Sequence, residues 1–583
     1  MMDRIVVSGG KAYYHIVTGG MPHEAELYAA SMLYEYLYKA TGTVVPYFSD
    51  IERCPRHGAE IHIGSNVRGD AVDVSALSED GFLIKTQGKD IIIAGKTPRG
   101  TMYGVFHFLE NFIGYRCFTK DIEKFDKVST LVVPDLDICE NPAFEYREVY
   151  FRSAFDADFC VRNRLNSNMA HIPKEKGGKM KFFNCHHSFN DLVPPQVHFD
   201  RHPEYYSLVD GQRLRERTQL CLTNEGVFEE ARKTLRRWIR ENPDCRVFSV
   251  AQNDWRNYCT CEKCRALDEK YGTPAASLIT FVNRLAEDIA DEYPQVLIHT
   301  FAYQYTKKAP QNLPAHDHVI VRLCNIECSW HASMAQQAVE NPDSEAAGFI
   351  ENLHHWGKLS KHLYIWDYAC NFRNYLMPFP NYHSMPENMR TYHECGVKGV
   401  LQQGNFSYGE ASGLTDLEIY LAAKMMWNPY QDENAIIDEF LCGVYGKGAQ
   451  PYIREYIDLL CAGLENGELK IYQNTGNAPY ITDEVLARAE MLFEKAMAAA
   501  ESDVSRRYLQ KEYLSILFMK AARLPLSDPR REGWIDQLYT GVKEFGISEI
   551  RERRYLDITF ENLRTAQHAD KRDNEYNLYY IMK

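Results

Sequence analysis

Short apolar runs alternate with amphipathic helical patterns between residues 145 and 402, and this alternation constrains the fold more than any other feature. Strands that are separated by helices pair in parallel, so the pattern predicts βαβ units. Convincing helices are expected over 225–240 and 276–292. With eight such runs, the sequence predicts an α/β fold of the (β/α)8 TIM-barrel type. The predicted strands are 145–151, 169–172, 181–184, 247–251, 296–302, 319–323, 363–366 and 397–402.

The chain has 583 residues, which is too long for one hydrophobic core. We therefore predict three domains, over 1–140, 141–430 and 431–583. The first is a small α/β domain that ends in a linker over 121–137, and the second is the barrel. The third is an α-helical C-terminal region. Outside the barrel, helices are predicted over 23–38, 102–113, 487–500 and 503–522, and strands over 60–64, 81–85 and 90–95.

The bulk composition, with 45% hydrophobic and 25% charged residues, is that of a globular protein. The formal net charge of −14 disfavours nucleic acid and anionic membranes as partners, because both require a basic surface. No apolar run reaches the roughly 18 residues of a membrane-spanning helix. The N-terminus has no signal-peptide pattern, so a cytoplasmic location is expected. Homo-oligomer formation is left open.

Polar side chains follow five of the predicted strands, at the barrel end where active sites lie. A single carboxylate there more often forms an ion pair or caps a loop. Several carboxylates that converge among aromatic residues instead suit glycoside hydrolysis, which needs two carboxyl groups beside the scissile bond. An oligosaccharide or glycan is therefore the expected substrate. The candidate carboxylates are Asp254, Glu327, Asp367 and Glu410, and the other candidate substrate contacts are His186, His187, Asn253, Trp255, Tyr303, Trp330, Trp366 and Tyr368.

Three cysteines, Cys259, Cys261 and Cys264, directly follow the fourth predicted strand in a C-x-C-x-x-C spacing. Three thiolates and one further ligand would form a structural zinc site, and Cys221 or a distant histidine could supply that ligand. The first alternative is a cluster of reduced cysteines that packs the loop. The second is a disulfide, which would form in an oxidising compartment. No cofactor is expected to be required for activity.

Residues 94–110 contain a "G-x-x-x-x-G-x-x-Y-G" pattern formed by Gly95, Gly100, Tyr103 and Gly104. This pattern resembles the strand-to-helix turn of the small domain that precedes the barrel in family 20 hexosaminidases and family 67 α-glucuronidases. In physical terms, its glycines permit a helix to pack closely on a strand. The resemblance implies an accessory domain in front of a glycosidase barrel.

A second resemblance covers most of residues 1–445. The chain looks like domain of unknown function family 4838 (DUF4838), part of which is glycoside hydrolase family 163, the endo-β-N-acetylglucosaminidases. The resemblance implies a carbohydrate-active hydrolase on a TIM barrel. It is carried by motifs at 220–224, 250–254, 258–264, 281–283, 300–303 with Pro310, and 365–368.

These resemblances also imply roles for the candidate residues. Family 20 enzymes have an Asp-Glu pair after the fourth strand, and here the pair is Asn253-Asp254, a departure that weakens a direct family 20 mechanism. By strand order, Glu327 and Asp367 correspond to the carboxylates of family 67. We therefore predict Glu327 as the general acid, Asp254 and Asp367 as orienting or base groups, and Glu410 as a reserve.

The predicted activity is hydrolysis of a 2-acetamido sugar by a β-N-acetylglucosaminidase-like, retaining mechanism in carbohydrate metabolism. An inverting, α-glucuronidase-like hydrolase is the first alternative. A non-catalytic carbohydrate-binding protein is the second.

Overall fold

The computed structural model describes residues 4–51, 58–464, 467–473 and 478–565, without the side chain of Asp70. The chain divides into two compact units. The first unit comprises Met1–Lys179, Phe406–Ile457 and Ala489–Tyr513. The second comprises Met180–Asn405, Asp458–Arg488 and Leu514–Lys583. The division into three consecutive domains remains a prediction.

Residues 4–51 and 58–179 form the small α/β part of the first unit. The helices and strands predicted there are present, and the Gln87–Asp90 turn joins two antiparallel strands. The strands are β1 (Arg4–Ser8), β2 (Lys11–Ala12), β3 (Tyr14–Thr18), β4 (Tyr47–Ser49), β5 (Ala59–Ile63), β6 (Asn66–Val67), β7 (Asp70–Ala71), β8 (Phe82–Gln87), β9 (Asp90–Gly95), β10 (Arg116–Cys117), β11 (Glu123–Lys124), β12 (Thr130–Val133), β13 (Asp137–Glu140) and β14 (Tyr146–Tyr150). The helices are α1 (Glu24–Thr41), α2 (Pro98–Phe112) and α3 (Ala157–Arg162).

The main sheet of this unit has six strands in the order β13-β8-β9-β5-β3-β4. Helix α2 packs tightly on it, because a Cβ atom on Gly95 would collide with the backbone of Gly100 and Thr101. The predicted 121–137 linker is instead partly sheet, since β12 pairs with β1 and β13 pairs with β8. These pairings satisfy backbone groups that a free linker would leave to water.

The predicted strand over 169–172 does not form. Side chains bind its backbone groups in place of a neighbouring strand. The Glu148 carboxylate accepts the N–H of Met169 at 3.3 Å, and the Ala170 carbonyl accepts from the Lys179 ammonium at 3.1 Å. The other seven predicted barrel strands are present.

The second unit contains a parallel sheet with helices between its strands. Within this unit the strand order is β22-β21-β20-β19-β18-β15. The two strands between β15 and β18 in the sequence form a separate hairpin. The strands are β15 (Phe182–Phe183), β16 (Leu208–Val209), β17 (Gln212–Arg213), β18 (Val247–Ser249), β19 (Leu297–Ala302), β20 (Val319–Cys324), β21 (His362–Tyr368) and β22 (Gly399–Gln403). The helices are α4 (Phe189–Leu192), α5 (Pro195–His198), α6 (Glu225–Glu241), α7 (Glu262–Tyr271), α8 (Ala275–Ala290), α9 (Met334–Glu340), α10 (Glu345–Leu359) and α11 (Ser384–Glu394).

Only helices follow β22 in the described part of the chain, as predicted. They are α12 (Thr415–Trp427), α13 (Glu433–Tyr445), α14 (Gln450–Ala462), α15 (Asp483–Ala498), α16 (Asp503–Arg523), α17 (Arg530–Glu544) and α18 (Leu556–Thr565). The predicted α/β class, with a parallel barrel-type sheet and a helical C-terminal region, is confirmed. Among the described helices, none is both long and apolar enough to span a membrane.

Candidate active site

Asp254 lies just after β18 and is held by two neighbours from the segment that follows β19. Its Oδ1 accepts hydrogen bonds from the Tyr303 hydroxyl and the Gln304 amide, both at 3.1 Å. Gln304 has a φ of +52°, a left-handed conformation that is costly for a residue with a Cβ atom. Such strained residues cluster at functional sites, and here the strained residue aims its amide at Asp254.

Glu327 follows β20 and forms an ion pair with Lys307. The Lys307 Nζ lies 3.0 Å from Glu327 Oε2, and the two side chains are 13% and 26% exposed. Burial by itself lowers the pKa of Lys307, but the Glu327 carboxylate offsets this effect, and the net pKa is raised. The lysine therefore carries its charge beside Glu327 at neutral pH.

Two tyrosines from the strand ends lie close to these carboxylates. Burial raises the pKa of Tyr303 well above its usual value, and the charge of Asp254 raises it further. Burial also raises the pKa of Tyr368, to which Cys324, Tyr303 and Glu327 contribute. The hydrogen bond from the Tyr303 hydroxyl places Tyr303 directly beside Asp254.

Segments from the C-terminal region of the second unit also reach the strand ends. The Phe372 N–H donates to the Ile471 carbonyl at 2.7 Å, and the Phe372 carbonyl accepts from the Glu552 N–H at 3.0 Å. The Tyr472 ring packs against Phe372 with centroids 5.6 Å apart. The loop after β21 thereby holds Tyr472 and Glu552 beside the strand ends.

Burial is the main influence on the Glu552 carboxyl. Burial raises the pKa of Glu552, and the carboxylates of Glu549 and Asp254 raise it further against the opposing effect of Arg553. Burial, followed by the charges of Glu552, Cys370 and Asp254, likewise raises the pKa of Tyr472. We call the following residues the strand-end cluster: Asp254, Tyr303, Glu327, Tyr368, Tyr472 and Glu552.

Asp367 lies on the opposite face of β21 from Trp366 and Tyr368, because successive side chains of a strand alternate. Its carboxyl group is fully buried. Oδ1 accepts from the Asn325 amide at 2.7 Å and from the Trp330 indole at 3.1 Å, and Oδ2 accepts from the Gln402 amide at 3.2 Å. Burial raises the pKa of Asp367, and these donors oppose the rise.

Two of the candidate substrate contacts have buried side chains that bind protein groups. The Trp330 ring is fully buried. The Asn253 side chain is 5% exposed, and its amide donates to Asn190 at 3.0 Å and to the Thr218 carbonyl at 2.8 Å. Both side chains therefore stabilise the protein segments around the strand ends.

The two adjacent histidines have different neighbours. The His186 ring lies against Trp366 with centroids 5.5 Å apart. Burial, with the charges of His187 and Arg322, lowers the pKa of His186 to about 4. His187 contacts the Gln252 carbonyl through Nδ1 at 2.5 Å, and its ring lies 6.1 Å from that of Tyr303. His187 is therefore the histidine nearer to the strand-end cluster.

Two further candidates lie outside these contacts. Trp255 is half-buried, and the Arg217 guanidinium lies over its ring at 5.4 Å. Glu410 belongs to the first unit, where it forms an ion pair with Arg507 at 2.5 Å. It also lines a small cavity together with Asp416 and Lys511.

The sequence reasoning missed four residues of this site. Gln304 and Lys307 follow β19 closely, so a search for polar residues after that strand would have found them. Tyr472 and Glu552 lie in the C-terminal region, where no strand pattern marks a strand end. The cysteines do come together, because Cys221 joins the three predicted cysteines in one cluster.

Comparisons with known proteins identify the family to which this chain belongs. The model of the domain of unknown function DUF4838 matches residues 117–458. The match covers more than half of the chain, and the protein belongs to this family. A model of the glycosyl hydrolase family 67 N-terminus matches residues 56–108, the stretch that includes Gly95 and Gly100. No curated protein matches the sequence.

Solved structures resemble the whole chain at low sequence identity. A family GH115 4-O-methyl-α-glucuronidase, BtGH115A, with specificity for decorated arabinogalactans, has a TM-score of 0.58 at 12% identity. The match covers 96% of this chain and 80% of that one, so the two proteins share a fold. A Flavobacterium johnsoniae chitobiase (FjGH20) has a TM-score of 0.45 at 10% identity, covering 93% of this chain and 97% of that one. A GH138 enzyme that targets pectin rhamnogalacturonan II has a TM-score of 0.41 at 11% identity, covering 91% of this chain and 72% of that one. The last two scores are too low to support an argument.

Proposed function

We propose that this protein is a glycoside hydrolase and that the strand-end cluster is its active site. The observation that supports this most is geometric: the segment after β19 contacts Asp254 through Tyr303 and Gln304, and it contacts Glu327 through Lys307. Two carboxyl groups are thereby held at the ends of the strands on either side of β19. Glycosidic cleavage needs two carboxyl groups beside the scissile bond, one of them protonated. Aromatic side chains supply apolar surface for a sugar ring.

The proton donor is proposed to be either Glu327, as the resemblance to family 67 implies, or Glu552. Glu552 has what a general acid needs, a pKa raised by burial and by neighbouring carboxylates. Glu327 instead forms an ion pair with the Lys307 ammonium. Asp254 is proposed as the second acting carboxylate, and Asp367 as a buried group that positions Trp330 and Asn325.

For the sugar, our first proposal is a 2-acetamido substrate, as the resemblance to families 20 and 163 implies. Asn253 is engaged with Asn190 and Thr218, so Asp254 alone would orient the acetamido group. A glucuronide is the second proposal. A uronate carboxylate requires a cation, which Lys307 provides, and the GH115 protein of similar fold is a glucuronidase.

The first experiment is a screen of aryl β-N-acetylglucosaminides, aryl α-glucuronides and N-glycans with the full chain. Turnover of one class identifies the substrate. If several sugars bind but none is cleaved at any pH between 4 and 9, the protein is a carbohydrate-binding protein and the proposal of an enzyme is wrong.

The second experiment assigns the acid, using Glu552→Gln and Glu327→Gln on two substrates that differ in leaving group. A general acid contributes about 10²–10⁴-fold with a poor leaving group and much less with a dinitrophenolate, which departs without a proton. The variant of the true acid therefore loses activity selectively on the poor leaving group. It also loses the alkaline limb of the kcat profile, where the acid ionises. If both variants keep full activity, the cluster is not the active site.

A further inference from the structure

Four cysteine side chains meet beside the loop that follows Asp254. Cys221, Cys259, Cys261 and Cys264 have sulfur atoms that all lie within 4.8 Å of one another. The Cys221 Sγ is 3.7 Å from the Cys261 Sγ and 3.9 Å from the Cys264 Sγ. We propose that these four cysteines bind one zinc ion as a closed, structural tetrathiolate site.

The distances fit a shared ion better than a disulfide. A tetrahedral zinc site with Zn–S bonds of about 2.3 Å has sulfur-to-sulfur edges of about 3.8 Å. A disulfide would bring two sulfurs to about 2.05 Å. The two sulfur-to-sulfur distances of Cys221 lie at the tetrahedral edge length. A structural site uses four protein ligands and leaves no position for substrate, so the proposed role is not catalytic.

The surroundings of the sulfurs suit thiolate charge. Cys221, Cys259 and Cys264 are each less than 5% exposed. Four thiolates around Zn²⁺ carry a net charge of −2, which donors must offset. The Leu208 N–H donates to the Cys259 Sγ at 3.4 Å, and the Arg213 guanidinium donates to the same atom at 3.7 Å.

The polypeptide around the cluster explains what the ion would hold together. Cys259 and Cys261 lie in the loop after β18, Cys264 lies in the first turn of α7, and Cys221 precedes α6. In the structure, Thr260 already joins this loop to the β16–β17 hairpin, because its N–H donates to the Leu208 carbonyl at 2.9 Å. Zinc would fix the loop between these segments, and Asp254 is only five residues from Cys259 in the sequence.

Metal content of the full chain tests the proposal without reference to any activity. We expect about one zinc per chain by elemental analysis after purification under reducing conditions without chelator. Cys221→Ser and Cys264→Ser should lower that content at least about tenfold, because each removes a buried ligand. Cys245→Ser is the matched control, since Cys245 is also buried, at 5% exposure, and lies outside the cluster.

A variant that fails to fold is replaced by a titration of the wild-type protein. A mercurial that modifies the four thiols should release one zinc per chain, detected with a colorimetric indicator. Zinc below about a tenth per chain even after incubation with zinc, iron in its place, a disulfide among the four cysteines, or full zinc retention in both serine variants would each overturn the assignment.

Discussion

The carboxyl groups of Asp254 and Asp367 both belong to the ends of strands in one sheet, yet their surroundings differ. Asp254 is half-buried, and one of its oxygens accepts two hydrogen bonds. Asp367 is fully buried and accepts from three side chains. A carboxylate that is enclosed by donors stabilises the fold, whereas one at the edge of a cluster can contact a ligand.

Asp367→Asn should destabilise the second unit by about 2–4 kcal/mol, because the new amide would meet donors where the carboxylate accepted them. Chemical denaturation measures this loss. Asp254→Asn is the matched control, since its amide oxygen still accepts from Tyr303 and Gln304, and its stability should stay within about 0.5 kcal/mol of the wild type. If Asp367→Asn were as stable as the wild type but inactive, the catalytic role predicted from the sequence would be correct.

The sequence contains enough information to orient some of these residues. The strand over β21 extends to Tyr368, and alternation then separates Asp367 from Trp366 and Tyr368. The contacts of Glu552 and Tyr472 could not be predicted in this way. They depend on long-range packing of C-terminal segments against the loop after β21, for which no local pattern exists.

At the scale of elements, the contact between α2 and the strands beneath it depends on the absence of side chains. A Cβ atom on Gly100 would meet the Gly81 carbonyl oxygen and lie 3.3 Å from the Cα of Gly95. The helix can approach this closely only because both residues are glycine. The sequence pattern predicted this approach correctly.

Gly100→Ala should therefore destabilise the protein by about 1–3 kcal/mol, because backbone has to move to make room for the methyl group. Gly348→Ala in α10 is the control, since its Cβ would have no neighbour within 4 Å. There the change should raise stability by up to about 1 kcal/mol, through helix propensity alone. Thermal and urea unfolding of the two variants compare them directly. Equal shifts in the two variants would contradict the close packing of α2.

Barrel strands were predictable where an apolar run had a neighbouring strand to pair with. The strand predicted over 169–172 does not form, and the reason is physical. That segment is apolar enough for a strand, but Glu148 and Lys179 bind its backbone groups. Which partner a short apolar run takes is a tertiary property, so periodicity alone cannot decide it. The predicted helices had no such competition, because their hydrogen bonds are internal.

At the scale of the whole molecule, each compact unit is assembled from three separate segments of the chain. The first unit uses residues up to 513, where the Leu414 N–H donates to Glu512 at 2.7 Å. The second unit also uses residues that follow its sheet in the sequence, such as Leu469, whose carbonyl accepts from the Trp330 N–H at 2.9 Å.

Truncation after Ile457 removes segments of both compact units. We therefore expect neither unit of the truncated chain to fold. We expect it to be insoluble or to lack a cooperative thermal transition, while the full chain shows one under the same conditions. Supplying residues 458–583 as a separate polypeptide during refolding should restore soluble protein. A soluble 1–457 fragment with cooperative unfolding would contradict the interleaved assembly.

Tyr472 and Glu552 lie beyond residue 458, where the match to the DUF4838 model ends. Asp254 and Glu327 lie inside it. One part of the proposed site is therefore encoded in the shared core of the family, and another part is encoded in a region that the family definition does not describe. A change in these late segments would alter the proposed site while the barrel strands stay unchanged. A comparison of members over their common core alone would therefore leave out Tyr472 and Glu552.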